Sequence, residues 1–519
     1  MAKFLGIFLI LSINGLYAQD FINQKYDNKR LMRPRASIGC FNIDTSNHIY
    51  SYGTVFDFTD GELKLISMDS LFQSAYLQVN NPQICNREGK IIAHFNGVHL
   101  TDQFGDTTEI SVFRSYEPYI FEDVFARNGA IILPFPSVDS TYILVGLNDF
   151  QLDPSTVVPA PNVLSAVIFK ETSTGSLKII EEIKEIYRDK FIRTSGITAC
   201  RHANGRDWWL LAPKRSTSLM NSFLLSDKGI SHVELYETGD TLLNRSTYCP
   251  LFSPDGLWYS RTSIEEFVPA NQYKKKDRCQ IFKFDRCSGH IYDPIDFYLP
   301  YEDSSSIGQI IFDNQSTNIY APRASSIWQG DISAPDVQAS FKRVCKADFS
   351  KIEISGWHAI GVGFQGPDNK MYFFDDNNKY GVTVINHPEL PGLACDAVYS
   401  AFYKPSCTGM SVGNMPYFSL GPLDGSPCDT LGLDNPLSIN VTKEKNDFIV
   451  YPNPTNGLIY GEGEIIYKDR FLKIFDITGK EIYEGNSEDL KRGIDLSDQP
   501  GGIYFIYIYE LGIKKIVKI

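Results

Sequence analysis

The sequence predicts an all-β protein: a seven-bladed β-propeller, with six or eight blades as adjacent solutions, followed by a small C-terminal β-sandwich. Three observations carry that expectation. A polar turn followed by an aromatic-aliphatic strand recurs seven times along the chain. Aromatic residues make up 13% of the composition, Gly numbers 39 and Pro 27, and few stretches show a helical period. Beyond about residue 420 the composition changes, and a final set of short β-runs follows.

The repeat is a turn rich in Asp, Asn, Gly or Ser that leads into a strand. It reads DTSNHIYSYG (44–53), NREGKIIAHF (86–95), SVDSTYILVG (137–146), HANGRDWWLL (202–211), SPDGLWYSR (253–261), NQSTNIYAPR (314–323) and GPDNKMYFFD (366–375). Turn residues such as Asn204-Gly205, Asp255-Gly256 and Asp368-Asn369 accept the positive φ of a tight hairpin. Between these turns lies a second element, a strand ending in a polar turn, in AVIFKETSTG (166–175), CQIFKFDRCSG (279–289), SSIWQGDI (325–332) and TVFDFTDGEL (54–63). Two hairpins per repeat of roughly fifty residues match a four-stranded propeller blade. The competing reading, a β-sandwich, has no need of so regular a spacing. The propeller is expected over 36–420, with a strand near ASIGCFNI completing the last blade beside MPYFSL and removing exposed sheet edges. One segment, LKIIEEIKEIYRDKF (177–191), places Ile179, Ile180, Ile183 and Ile186 at helical spacing and marks an excursion between blades.

The first residues set the compartment. In MAKFLGIFLILSINGLYAQ a lysine precedes an apolar run that is too short to span a bilayer, and Ala18 offers a small residue before Gln19. Residues 1–18 are therefore expected to be a secretory signal cleaved between Ala18 and Gln19. No later stretch has the roughly eighteen uninterrupted apolar residues of a membrane helix. A net charge of −13 repels phosphate backbones, which argues against nucleic acid as a partner.

Motifs for chemistry are sparse. GVGFQG (361–366) has the letters of a dinucleotide fingerprint, but a turn and a strand follow it where the fingerprint needs a helix N-terminus. GMSVG (409–413) has the letters of a nucleophile elbow around Ser411, but Pro416 stands where the helix should run. The eight histidines are scattered singly, and the acidic stretches 375–378 and 424–435 lack the alternating carboxylates of a calcium loop. No catalytic residue, cofactor or metal site is expected. Trp208 and Trp209 are adjacent on a strand, so one faces the neighbouring blade and the other the opposite layer. Ten cysteines in an exported chain allow disulfides. Cys279 and Cys287 sit on one extended segment, about 26 Å apart, and are not partners. Cys395 and Cys407 bracket a segment long enough to fold back, which makes them a candidate pair.

Residues 421–446 are rich in Gly, Pro and Asp and read as a linker; 447–519 read as a separate sandwich. In that sandwich YPNPTNG, LKIFDITGKEI, IDLSDQPGGIYFIYI and a basic-apolar KKIVKI follow in order. Together they resemble the type A C-terminal sorting domain of the type IX secretion system of Bacteroidota. By residue, the resemblance falls on Pro452, Asn453, Pro454, Gly457, Asp476, Gly479, Lys480, Gly502, Tyr504 and the terminal lysines. It implies passage through the periplasm and recognition of the domain by the outer-membrane translocon. It also implies removal of the domain, with release or attachment to surface lipopolysaccharide. The central repeats are similar to WD-repeat-like propeller segments that accompany such domains, a likeness that brings no ligand with it.

Two functions follow. The first is an exported, non-catalytic propeller that binds an unknown protein or glycan through loops such as 101–128 and 262–277. The second is a secreted hydrolase or lyase with its site in the propeller channel.

Overall fold

A computed structural model describes residues 29–32, 42–43, 49–50, 54–67, 82–86, 89–95, 97, 99–113, 129–153, 158–191, 196–214, 217–239, 250–264, 277–299, 309–323, 325–348, 360–375, 381–403, 414–429, 449–462, 470–477, 480–508 and 512–519. The chain divides into two compact units, Met1–Leu431 and Gly432–Ile519.

In the first unit seven antiparallel sheets follow one another along the sequence. The first has strands Lys29–Met32, Thr54–Asp57 and Lys64–Ser67, with a small hairpin of Asn42–Ile43 and Ile49–Tyr50 beside it in sequence. The other six have four strands each, over residues 83–109, 130–188, 198–237, 251–297, 311–346 and 360–403. Within each of these six the strands are neighbours in sequence order, so each is a meander. The first strands form an inner ring: Lys29–Met32 touches Gln83–Cys85, Gln83–Cys85 touches Ala130–Pro134, and Ile311–Phe312 touches Ile360–Gln365. The ring closes where Phe56 and Phe58 of the first blade pack among Val362, Phe364, Tyr372 and Phe374 of the seventh. Phe56 meets Phe364 and Phe374 edge-on, with both centroid separations at 5.8 Å. Such pairs add about 0.5–1.5 kcal/mol beyond the area they bury. The fold is a seven-bladed β-propeller.

Closure is achieved by aromatic packing between whole blades, and this corrects the expected strand exchange. All four strands of the last blade come from residues 360–403. Of ASIGCFNI only Asn42 and Ile43 are described, and they pair with Tyr50 and Ile49.

The recurring turns are the first hairpins of the blades. In five blades the same pair of backbone bonds recurs: Asn86, His202, Ser253, Asp313 and Gly366 each donate their N–H to the carbonyl of Lys90, Asp207, Trp258, Asn318 and Lys370. Their own carbonyls accept from Gly89, Gly205, Gly256, Ser316 and Asn369, all of which have positive φ. That geometry selects Gly, Asn or Ser at one position and explains why the repeat was visible. In the first blade the turn stretch 44–53 lies almost wholly outside the described residues; TVFDFTDGEL forms Thr54–Asp57 and the turn into Lys64–Ser67, where Gly61 donates to Phe58.

The helical candidate is a strand. Leu177–Arg188 is the outermost strand of the third blade, paired along Val158–Glu171. Two irregularities in the pairing account for its spacing. Ile168 lies opposite Glu181 but Phe169 opposite Ile179, which leaves Ile180 as an extra residue, 53% exposed. A second shift falls between Leu164 and Ala166. Each bulge resets the two-residue alternation, so that Ile179, Ile183 and Ile186 all turn to the core.

A final segment, 414–429, runs through the first unit as a strap. Asn414 donates its amide to the carbonyls of Ala130 (3.0 Å) and Ile197 (2.8 Å), and Met415 takes the Gln83 amide on its sulfur at 3.4 Å. These partners stand at the leading ends of the inner strands of the second, third and fourth blades. Because Gly129 gives its carbonyl to Leu147 of the next strand, the adjoining Ala130 carbonyl points the other way, towards the channel. Phe418 is fully buried against Trp208, centroids 5.8 Å apart. Leu423 then donates to Ala203, at the far end of the fourth blade's inner strand. The buried Arg286 guanidinium donates to Gly421 as well as to Arg201 and His202. Gly205 is required here, since a Cβ would lie 2.6 Å from the Pro422 nitrogen. Cys287 and Cys428 form a disulfide that fastens the end of the strap to the fifth blade. Residues 421–429, expected to begin a linker, thus belong to the propeller.

Candidate functional site in the C-terminal domain

In the second unit Ile449–Tyr451, Leu458–Glu462 and Ile494–Asp495 form one sheet. Glu481–Asn486, Phe471–Asp476, Gly502–Ile508 and Gly512–Lys518 form the other, in that spatial order. Alternation on the strands turns Val450, Ile459 and Ile494 from the first and Leu472, Ile474, Ile506, Ile508 and Ile516 from the second into one core. The result is a compact sandwich whose two ends of chain meet.

That meeting is made by YPNPTNG. Asn453 lies between two exposed prolines and uses both ends of its amide: Nδ2 donates to the Lys515 carbonyl at 2.7 Å, and Oδ1 accepts the Val517 N–H at 2.8 Å. Thr455 continues the contact, donating its N–H to Val517 and accepting that of Ile519 on its carbonyl, as a parallel bridge to Lys518. The Thr455 hydroxyl donates to Leu458 and accepts from Gly457 N–H, closing a small turn. Gly457 has φ +144°, and a Cβ there would fall 2.4 Å from the Ser497 hydroxyl, so no other residue fits.

The last strand is held from its other side too. Lys518 is only 8% exposed; its ammonium donates to the carbonyls of Ser497 and Gln499. Gly502 pairs with Lys518, and the Tyr504 hydroxyl donates to Pro500 at 2.6 Å. Asp495 accepts the Ser497 N–H at 2.8 Å, and this contact with the Ser497 hydroxyl and N–H keeps its carboxyl below the usual range, Lys518 adding to the effect. Asp476 and Lys480 stand apart from this clasp. Across the hairpin that joins Phe471–Asp476 to Glu481–Asn486 the Asp476 N–H donates to the Lys480 carbonyl, and the Asp476 carboxylate accepts the Lys480 N–H at 3.0 Å. Gly479 lies outside the described residues.

Of the residues singled out in sequence, Asn453, Gly502 and Tyr504 therefore converge on the terminal strand, Pro452 and Pro454 flank Asn453, and Gly457 closes the turn against Leu496 and Ser497. Thr455 and Ser497 were missed. The hydroxyl two residues before a glycine in PNPTNG was the available signal for Thr455; Ser497 shows only through the packing. The arrangement is a clasp of backbone and amide hydrogen bonds, suited to presenting a defined surface.

In the first unit Trp208 and Trp209 face opposite ways, into separate cores, and the Trp209 indole donates to Arg286 at 2.8 Å. GVGFQG lies in and just after the strand Ile360–Gln365, and another strand, Met371–Asp375, follows. Cys395 is a free, buried cysteine whose thiol burial pushes up in pKa, which corrects the expected bridge to Cys407. Cys407, Ser411, Ala18 and Gln19 lie outside the described residues. The stretch 101–128 is in part regular: His99–Asp102 and Thr107–Glu109 are blade strands, as are Trp258–Ile264 and Asp277–Asp285 at the ends of 262–277. Among the described residues no group of three His, Cys, Asp or Glu side chains is placed to hold a metal ion, and no helix is long and apolar enough to cross a membrane.

Residues 449–519 match the family described as secretion system C-terminal sorting domain. No curated protein matches the sequence. Among solved structures, a Lactobacillus plantarum protein is similar at 11% identity and a TM-score of 0.42, over 74% of this chain and 98% of that one. The Pseudomonas aeruginosa periplasmic gluconolactonase is similar at 9% identity and a TM-score of 0.34, over 94% and 99%. Pyrococcus horikoshii acylaminoacyl peptidase follows at 12% and 0.34, over 74% of this chain and 54% of its own. Likeness of this degree carries no argument about activity.

Proposed function

From a chain whose C-terminal domain is a type IX sorting domain, we infer an exported propeller that works as a non-catalytic binding module at the cell surface or in the medium. The sorting domain addresses the chain to the secretion machinery, which carries it across the outer membrane. The finer steps belong to this proposal: cleavage between Ala18 and Gln19, removal of the sorting domain, and release or attachment to lipopolysaccharide. So does the ligand, a protein or glycan of the surface.

The observation that carries the non-catalytic reading is the strap. From Asn414 to Leu423 it runs from one end of the inner strands to the other, along the side of the channel formed by the second to fifth blades. A site in the channel, which the hydrolase or lyase reading requires, would have to share it with this segment.

Deleting residues 449–519 tests the address: the truncated chain is expected in the periplasm, and undiminished surface display would overturn it. For the role, the purified mature protein is screened against glycans and outer-surface proteins. Saturable binding without turnover supports the module, whereas turnover of a bound glycan or ester supports the enzyme.

A further inference from the structure

We propose, resting on the binding role above, that the cleft between the first and seventh blades is the ligand site and that it takes a neutral, hydroxyl-rich saccharide. At this seam the ring closes without a shared strand. Its inner part is sealed by Phe56 and Phe58, but its outer part opens into a cavity of about 620 Å3 between the hairpin at 61–65 and the seventh blade. That volume is in the range of small-molecule sites, roughly 300–1,000 Å3.

The lining has the two components that a sugar needs. Leu65 and Phe402, both half-buried, give an apolar wall, and the Phe402 ring is steadied by Tyr372 and Phe56 at centroid distances of 6.3 and 6.5 Å. Apolar faces of this kind pack against the C–H face of a pyranose. The same cavity is lined by Glu62, Asp368, Lys370 and Asn386. Asp368 is fixed by the Tyr372 hydroxyl at 2.5 Å, and Asn386 is fixed by donating to Asp396 at 2.9 Å. Positions held in this way are organised before a ligand arrives. The side chains of Glu62 and Lys370 are exposed and engage no described neighbour in an ion pair or hydrogen bond, one on each blade.

Charge selects the class. Two carboxylates against one ammonium repel phosphates and acidic sugars, in keeping with the chain's net charge of −13. Carboxylates accept hydroxyl protons in short, charge-assisted bonds, and Lys370 donates to ring or hydroxyl oxygens. A neutral oligosaccharide meets all of these groups at once.

The test uses the full mature chain on an array of neutral and acidic oligosaccharides, followed by calorimetric titration of the strongest neutral binder. Glu62→Gln and Lys370→Met alter exposed side chains, so the melting temperature is expected to stay unchanged. Each is expected to weaken binding about tenfold or more. Neutral-glycan binding that survives both substitutions overturns the cleft and leaves the binding role intact. Binding only to acidic glycans or to surface proteins overturns the saccharide class in the same way. An array with no hits overturns the inference; the binding role falls with it only if the surface-protein screen is empty too.

Discussion

In the propeller, the contacts that fasten the fold join residues far apart in sequence: Asn414 reaches back 284 residues to Ala130, and Cys287 is bridged to Cys428 across 141. In the C-terminal domain, Asn453 spans only 62 and 64 residues, to Lys515 and Val517, and it belongs to a short motif at one end of a short domain. The propeller is held by a strap with no periodic pattern. The sorting domain is held by its own first and last segments. The second kind of closure brings the start and end of the domain side by side. The side-chain inventory divides in the same way. All eight histidines and all five tryptophans lie before residue 432, so indole fluorescence reports the propeller alone.

The largest expected effect is on the sorting domain. A chain ending at residue 511 loses the strand Gly512–Lys518, the partners of Asn453 and Thr455, and the buried Ile516. A domain of this size has about 3–5 kcal/mol to spare, so it is expected to unfold. Limited proteolysis would then digest it while the tryptophan emission of the propeller stays native. Loss of both would show that the two folds depend on each other.

Acid should act on the opposite unit. His94 is completely buried, and burial lowers its pKa from 6.5 to about 3. Unfolded, the imidazole takes a proton near its ordinary value; folded, it does not until about pH 3. Stability is therefore full above 6.5 and falls with pH, by about 1.4 kcal/mol per unit, to a total of several kcal/mol. Urea unfolding followed by indole emission at pH 7, 5 and 4 measures this, and His94→Leu should flatten the slope. The sorting domain has no histidine and should show no such dependence.

A third, smaller effect concerns the strap. Replacing Cys287 and Cys428 together by serine releases it from the fifth blade and should cost the propeller about 2–5 kcal/mol, with no change in the sorting domain. The unfolding midpoint with and without reductant provides the same comparison in the native sequence.

How much of this could be seen in the sequence follows from locality. The hairpin turns were visible because positive φ at Gly205, Gly256 or Asn369 restricts the residue type, and that restriction recurs in five blades. The sorting domain was visible because its segments are contiguous. The strand at 177–188 was obscured by bulges, since a two-residue period interrupted twice imitates a helical one. The strap and its disulfide could not be seen: 414–429 has no alternation, and its partners are chosen by the assembled ring. The cleft is likewise a product of closure, with Glu62 and Lys370 brought together from the first and last blades.

The smallest predicted effect separates the clasp from the fold that carries it. Asn453 is exposed, so Asn453→Ala removes two hydrogen bonds to the terminal strand without opening a cavity. Water can replace both partners, and the expected cost is about 1 kcal/mol. Yet the amide is what aligns YPNPT with KKIVKI, so amide exchange at Val517 should accelerate while exchange in the Phe471–Asp476 strand holds. If export falls while the domain stays folded, the paired ends of the chain are part of the address. If export is unchanged, the clasp serves stability alone and the machinery reads another face of the sandwich.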